Sequence, residues 1–154
     1  MELTTFERER LETLRKYRIF DADPDHGLDV VTRLARYTFG VPLAMISFAD
    51  LSGTWVKSWA GCDPQKGLGA LPVCEQVLLQ REPLVIEDVV KELRSEEVPL
   101  TIDGAPAGFY AGVPLTSRDG IDLGVLSILD VRPRAFSDEQ IMMLADLARL
   151  AVRD

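Results

Sequence analysis

The chain has one histidine, two cysteines and no apolar run near the ~20 residues of a membrane span. A single histidine excludes His-rich metal sites. It also leaves only His26 for Cys-His or Ser-His-Asp catalysis. That residue lies in Asp23-Pro24-Asp25-His26-Gly27, a cluster with turn chemistry, and reads as a solvent-exposed turn histidine. Cys62 and Cys74 are too few for a disulfide scaffold or a cysteine-built zinc site. No Cys-x-x-Cys pair and no Gly-x-Ser-x-Gly elbow occurs. Bases are outnumbered: 17 Lys and Arg against 25 Asp and Glu leave a net charge of −8. Such a balance disfavours nucleic acid and anionic membrane as partners, since both are densely negative. The N-terminus is charged from Glu2 and lacks the apolar centre of a signal peptide. A soluble, cytoplasmic chain is expected.

The 154 residues suit one globular domain, with 47% hydrophobic and 27% charged residues. Residues 3–17 space Leu3, Phe6, Leu11, Leu14 and Tyr17 as one apolar stripe on a polar helix. Asp23 and Pro24 then offer a cap and a first turn for a second helix reaching Phe39, with Leu28, Val31, Ala35 and Phe39 on its inner face. Gly40 and Pro42 stop it.

From Leu43 the period changes. Leu43–Ala49 is apolar except for Ser47, so it reads as a central strand covered on both sides. After a turn at Leu51-Ser52-Gly53, Thr54–Ala60 alternates, putting Trp55, Lys57 and Trp59 on one face. Residues 61–71 form a glycine-containing loop, and Val73–Leu79 a short helix ended by Pro83. Leu84–Ile86 is a short strand. Residues 82–103 carry seven acids and two bases and read as a solvated connection with one helical turn near Val89–Leu93. Phe109–Leu115 and Ile121–Asp130 pair as a hairpin around Asp119-Gly120, the second strand again being central. Ser137 with Gln140 makes a capping box for the last helix. Strands and helices do not alternate as βαβ units, so the sheet is expected to be antiparallel.

Several of these segments, in this order, resemble bacterial GAF domains. They are Phe39-Gly40-Val41-Pro42-Leu43-Ala44-Met45-Ile46-Ser47, Trp55-Val56-Lys57-Ser58, Pro83-Leu84-Val85-Ile86-Glu87-Asp88, Phe109-Tyr110-Ala111-Gly112-Val113-Pro114-Leu115 and Leu123-Gly124-Val125-Leu126-Ser127-Ile128-Leu129-Asp130. The likeness spans about residues 20–152. It divides the chain into an N-terminal helix and connection, 1–22, and a GAF-like domain, 23–154. It implies an α+β, PAS-like fold with a central antiparallel sheet of five to six strands. Two N-terminal helices and the C-terminal helix would cover one face, and a roof of loops and short helices from residues 61–80 and 88–108 the other. Close relatives carry Phe-Cys-Ala-His at the short helix, where this chain has Val73-Cys74-Glu75-Gln76. Without that histidine no haem, metal or thioether-linked bilin is expected there.

The resemblance implies a regulatory module that senses an unidentified small molecule, dimerises and passes a conformational change to a downstream output domain of a signalling protein such as a histidine kinase or diguanylate cyclase. The candidate pocket residues are Trp55, Lys57, Trp59, Cys74, Asp88, Phe109, Tyr110 and Ser127. Two indoles with an ammonium suit a planar anion, Cys74 suits pocket lining or a redox thiol, and Asp88 suits a ligand hydrogen bond or a helix cap. No residue is assigned a catalytic role. A different class of reading is a small cysteine-dependent enzyme of the free methionine sulfoxide reductase kind, with Cys62 as partner to Cys74. A third is a ligand-free interaction module. On the last helix, Met143, Leu147 and Leu150 form a second apolar stripe beside Ile141, Leu144, Ala145, Ala148 and Val152, and are expected at a homodimer contact.

Overall fold

The computed structural model describes residues 5–16, 26–50, 53–62, 71–92, 101–102 and 104–152. In chain order the elements are α1 (Thr5–Lys16), α2 (His26–Phe39), β1 (Leu43–Asp50), β2 (Gly53–Gly61), α3 (Leu71–Gln80), β3 (Leu84–Ile86), α4 (Val89–Glu92), β4 (Thr101–Ile102), β5 (Ala105–Pro106), β6 (Phe109–Thr116), β7 (Asp122–Asp130) and α5 (Asp138–Ala151). Leu3, Tyr17, the Asp23-Pro24 cap, the Leu51-Ser52 turn and residues 63–70 of the expected loop lie outside the described residues. His26 opens α2 instead of belonging to a turn.

Five strands form one antiparallel sheet in the order β2-β1-β7-β6-β3. The two strands read as apolar on both sides, β1 and β7, are neighbours at its centre. Every residue of β7 is buried, as a strand covered on both faces requires. Pro114 is tolerated in β6 because β3 pairs only with Tyr110–Gly112, so the proline lies where β6 is an edge.

Each face of the sheet has its own apolar core. Under α2 and α5, the stripes Leu28-Val31-Ala35-Phe39 and Leu144-Ala148-Val152 meet Ala44, Ile46, Phe48, Phe109, Leu126 and Ile128. Under α3, Val73, Cys74, Val77 and Leu78 meet Leu43, Met45, Tyr110, Val125 and Leu129. On the first face Ser58 ties β2 to α2, donating to Asp29 Oδ1 at 2.5 Å and bonding Thr32 Oγ1 at 3.1 Å. The Ser137–Gln140 capping box is present at α5. The described part of the acidic stretch before β6 is structured, although its charge pointed to solvent. It holds α4 and a second small sheet, β4–β5, whose Ile102 is buried and whose turn contains Gly104 at φ +83°.

Asp122 joins three elements at one end of the sheet. Its carbonyl accepts from Arg10 Nε of α1 at 2.9 Å, and its carboxylate from Thr116 Oγ1 at 2.8 Å and Arg81 Nε at 3.3 Å. Arg81 closes α3 in the left-handed conformation, φ +60°, its N–H bonding Val77 O. Glycine usually takes that position. Here the arginine side chain is also held by Gly120 O at 3.2 Å.

Candidate functional site

A group of hydroxyls and a thiol lies buried between the sheet and α3. Tyr110 Oη of β6 and Ser127 Oγ of β7 are 2.8 Å apart. Cys74 Sγ of α3 lies 3.5 Å from Ser127 Oγ and 3.6 Å from Tyr110 Oη. All three residues are fully buried. Ser47 of β1 faces the same side and is near the thiol, yet its buried Oγ makes no hydrogen bond. It is the one polar residue in the apolar run that built β1.

Gly112 makes this arrangement possible. Tyr110 and Gly112 are two residues apart on β6 and share a face. The phenol lies along the sheet over Gly112, and a β-carbon there would overlap the Tyr110 ring and oxygen. The ring thereby reaches the next strand, where Ser127 pairs with Gly112.

The group is neutral. Burial pushes the Cys74 thiol up. Hydrogen bonds to Ser127 and Tyr110 and the nearby Ser47 hydroxyl offset this in part, and Glu75 adds to it. Burial, reinforced by Cys74, raises Tyr110 well above the usual phenol range. Such a set offers hydroxyl and thiol donors to an uncharged polar group. It does not present a nucleophile, because the reactive form of cysteine is the thiolate. Cys62, also free, is half-buried against the same apolar core.

Three of the expected pocket residues, Cys74, Tyr110 and Ser127, thus come together. Trp55, Lys57 and Trp59 do not share a face. Ile46 pairs with Ser58 but Ser47 pairs with Val56, so Lys57 is the extra residue of a β-bulge. The bulge breaks the two-residue period. Trp55 packs on Phe48 in the core under α2, at 5.8 Å between rings, while Trp59 pairs with Met45 on the α3 side and is 40% exposed. Phe109, next to Tyr110 on β6, faces the other way. Its ring stacks at a tilt on Phe136 and lies under the Arg134 guanidinium. Asp88 caps α4, its Oδ1 accepting from Lys91 N at 3.3 Å.

Sequence reasoning passed over Glu87, which links the α4 side to α5. Its carbonyl accepts from Arg134 N at 3.0 Å and its carboxylate from Phe136 N at 2.6 Å, just before the Ser137 cap. Arg134 in turn reaches Asp130 Oδ2 at 2.5 Å and the carbonyls of Phe39 and Gly40 at the end of α2. On α5, Leu147 is half-buried against its own core, while Met143 and Leu150 are exposed. No helix among the described residues is long and apolar enough to cross a membrane.

The sequence profile described as "GAF domain" matches residues 23–153. A cyclic di-GMP phosphodiesterase of Pseudomonas aeruginosa is 26% identical over 136 residues, which cover 87% of this chain and 23% of that protein. The chain therefore spans under a quarter of the length of that relative. The GAF domain of the Acinetobacter phosphoenolpyruvate-protein phosphotransferase superposes with a TM-score of 0.67 at 17% identity, covering 97% of this chain and 92% of the other. The type II free methionine-R-sulfoxide reductase of Thermoplasma acidophilum superposes at 0.61 and 17% identity, covering 80% and 86%. One fold thus occurs as a domain of a phosphotransferase and as a reductase, so the fold alone does not give the function and the site residues must decide it.

Proposed function

The chain belongs to the GAF domain family, and on that premise we propose that it is the small-molecule-sensing, dimerising module of a cytoplasmic signalling protein. A ligand engages the α3 face of the sheet, and α5 passes the change to a downstream output domain. The observation that carries this reading is the buried neutral group of Cys74, Tyr110 and Ser127, with Ser47 Oγ left without a partner. A buried unsatisfied hydroxyl costs about 1–3 kcal/mol and calls for an occupant. The donor set suits an uncharged polar ligand group, such as an amide or a carbonyl.

Three further features support the reading. The site lies across the sheet from α2 and α5, which is where a sensor needs separation between input and output. Glu87 bonds the residues that lead into α5. The similar Pseudomonas aeruginosa protein is more than four times longer than the matched region, as expected of a module within a signalling enzyme. Met143 and Leu150 supply the exposed apolar contact of the homodimer.

Native mass spectrometry of the purified chain tests the sensing role. The expected result is a retained small molecule that is lost in Ser127→Ala and Tyr110→Phe. Absence of any retained molecule, together with no thermal shift across a panel of neutral heterocycles, would reject it. The two free cysteines at one apolar core favour a second reading, thiol-dependent reduction of methionine sulfoxide. Turnover with a thiol reductant that vanishes in Cys74→Ser would establish that reading instead.

A further inference from the structure

An open cleft of about 430 Å³ lies at the C-terminal end of α2, lined by Arg36, Tyr37, Gly40, Val41 and Pro42. Its volume is that of a small-molecule site. No member of the Cys74 group lines it, so it is separate from the α3 face.

The lining combines one flat apolar wall with one charge. Tyr37, 81% exposed, stands beside Val41 and Pro42. The Arg36 guanidinium makes no ion pair or hydrogen bond among the described residues. Its side chain is nevertheless packed on one side. Gly61, at the end of β2 with φ +100°, passes so close that a β-carbon there would overlap Pro42 O and press on Arg36 Nε.

The end of a helix normally repels anions, because its last carbonyls carry partial negative charge. Here Arg134 donates to Phe39 O and Gly40 O, and Val41 N–H donates to Arg36 O at 3.2 Å. With those carbonyls occupied, the unpaired charge facing the cleft is positive. A phosphate is held by several converging backbone N–H groups. Pro42 has none, and Val41 has already spent its own. The single guanidinium fork instead matches a carboxylate, which it binds through two parallel bonds.

We infer that this cleft binds a small aromatic carboxylate, its carboxylate on Arg36 and its ring against Tyr37 and Pro42. Such a ligand would lie beside Gly40, one bond away from Arg134 and the approach to α5.

Amide NMR titration of the chain tests this, with indole-3-carboxylate and benzoate as probes, indole-3-carboxamide as the neutral control and inorganic phosphate as the competing anion. Circular dichroism confirms that each variant is folded. Saturable shifts at Gly40 and Val41 are expected with the carboxylates. Arg36→Gln is expected to weaken binding about tenfold or more through loss of the charged fork, and Tyr37→Ala about fivefold through loss of the ring contact. Arg33→Gln, on the same helix but outside the cleft, leaves affinity unchanged. Absence of saturable shifts with either carboxylate overturns the inference. So does equal binding of the carboxamide or of phosphate, or binding that survives Arg36→Gln. Shifts centred on Cys74 and Ser127 would move the ligand to the α3 face, overturning this site while supporting the sensing reading.

Discussion

Tyr110 shows how one residue's neighbours decide its role. A phenol on a central strand normally stands off the sheet. Gly112 lets this one lie flat and reach Ser127 and Cys74. Gly112→Ala is therefore expected to destabilise the fold by about 1–3 kcal/mol through forced displacement of the ring, and Tyr110→Phe by about 1–2 kcal/mol through the orphaned partners. In Tyr110→Phe/Gly112→Ala the effects are less than additive, since both act on one ring. Denaturant unfolding of the two singles and the double checks this. The same cluster sets a pH dependence. Burial raises Cys74 and Tyr110 in the folded chain above the ordinary values of 9.0 for a thiol and 10.0 for a phenol. Above those values the unfolded chain has lost protons that the native state keeps, so stability falls as pH rises. The loss begins near pH 9 with Cys74, deepens past pH 10 with Tyr110, and has a slope near 1.4 kcal/mol per pH unit for each group. Stability below pH 8 is untouched by either. Cys74→Ala should move the onset up to the tyrosine range in a series of unfolding curves. Cys74 was legible in the sequence as a buried thiol on a short helix. Tyr110 and Ser127 were legible beside it as pocket residues; Ser47 was not, because a lone serine within an apolar run carries no mark of what its face will meet.

Among the elements, those with a strong local code matched the sequence closely. The capping box of α5 is written in Ser137 and Gln140, and the β6–β7 hairpin in Asp119-Gly120. The β2 faces went wrong at Lys57, because a bulge is a property of the pair of strands and leaves no signature in one. The β4–β5 pair was missed although Asp103-Gly104 carries the same hairpin signal as Asp119-Gly120. Two-residue strands give no period to read, and the acidic composition around them pointed to solvent. Glu87 belongs at this scale, since its two bonds hold the approach to α5. Glu87→Ala frees the Phe136 amide, and its hydrogen exchange should quicken by tenfold or more, with smaller effects through the first turn of α5. Glu87→Gln keeps an acceptor and should lie between. Ser137→Ala, by contrast, removes the cap and costs about 1 kcal/mol without altering exchange at α4. If Glu87→Ala changes only the Phe136 amide and leaves α5 unaffected, Glu87 is a local tie with no part in transmission.

Taken whole, the molecule is a sheet with two cores of unequal kind. One is thick, with α2 and α5 packed on it and on each other, and it joins Phe39, Phe109 and Phe136 in a ring cluster. The other is roofed among the described residues by α3, α4 and β4–β5, and contains the only buried thiol. A ligand cannot reach the Cys74 group while α3 is seated, so the sensing reading requires α3 to lift without the sheet unfolding. Local opening of this kind has a free energy below that of global unfolding. Thiol labelling measures it directly, because Cys74 is fully buried and Cys62 is half-exposed. Cys62 is expected to react first and Cys74 far more slowly, through opening of α3. Val77→Ala, under α3, weakens that seat by about 2 kcal/mol and should speed Cys74 labelling roughly thirtyfold. Leu144→Ala, under α5, destabilises the whole domain at least as much. If α3 opens on its own, Leu144→Ala barely changes the Cys74 rate. If both substitutions accelerate labelling in proportion to global stability, α3 leaves the sheet only when the domain unfolds, and the α3 face has no entry route for a ligand.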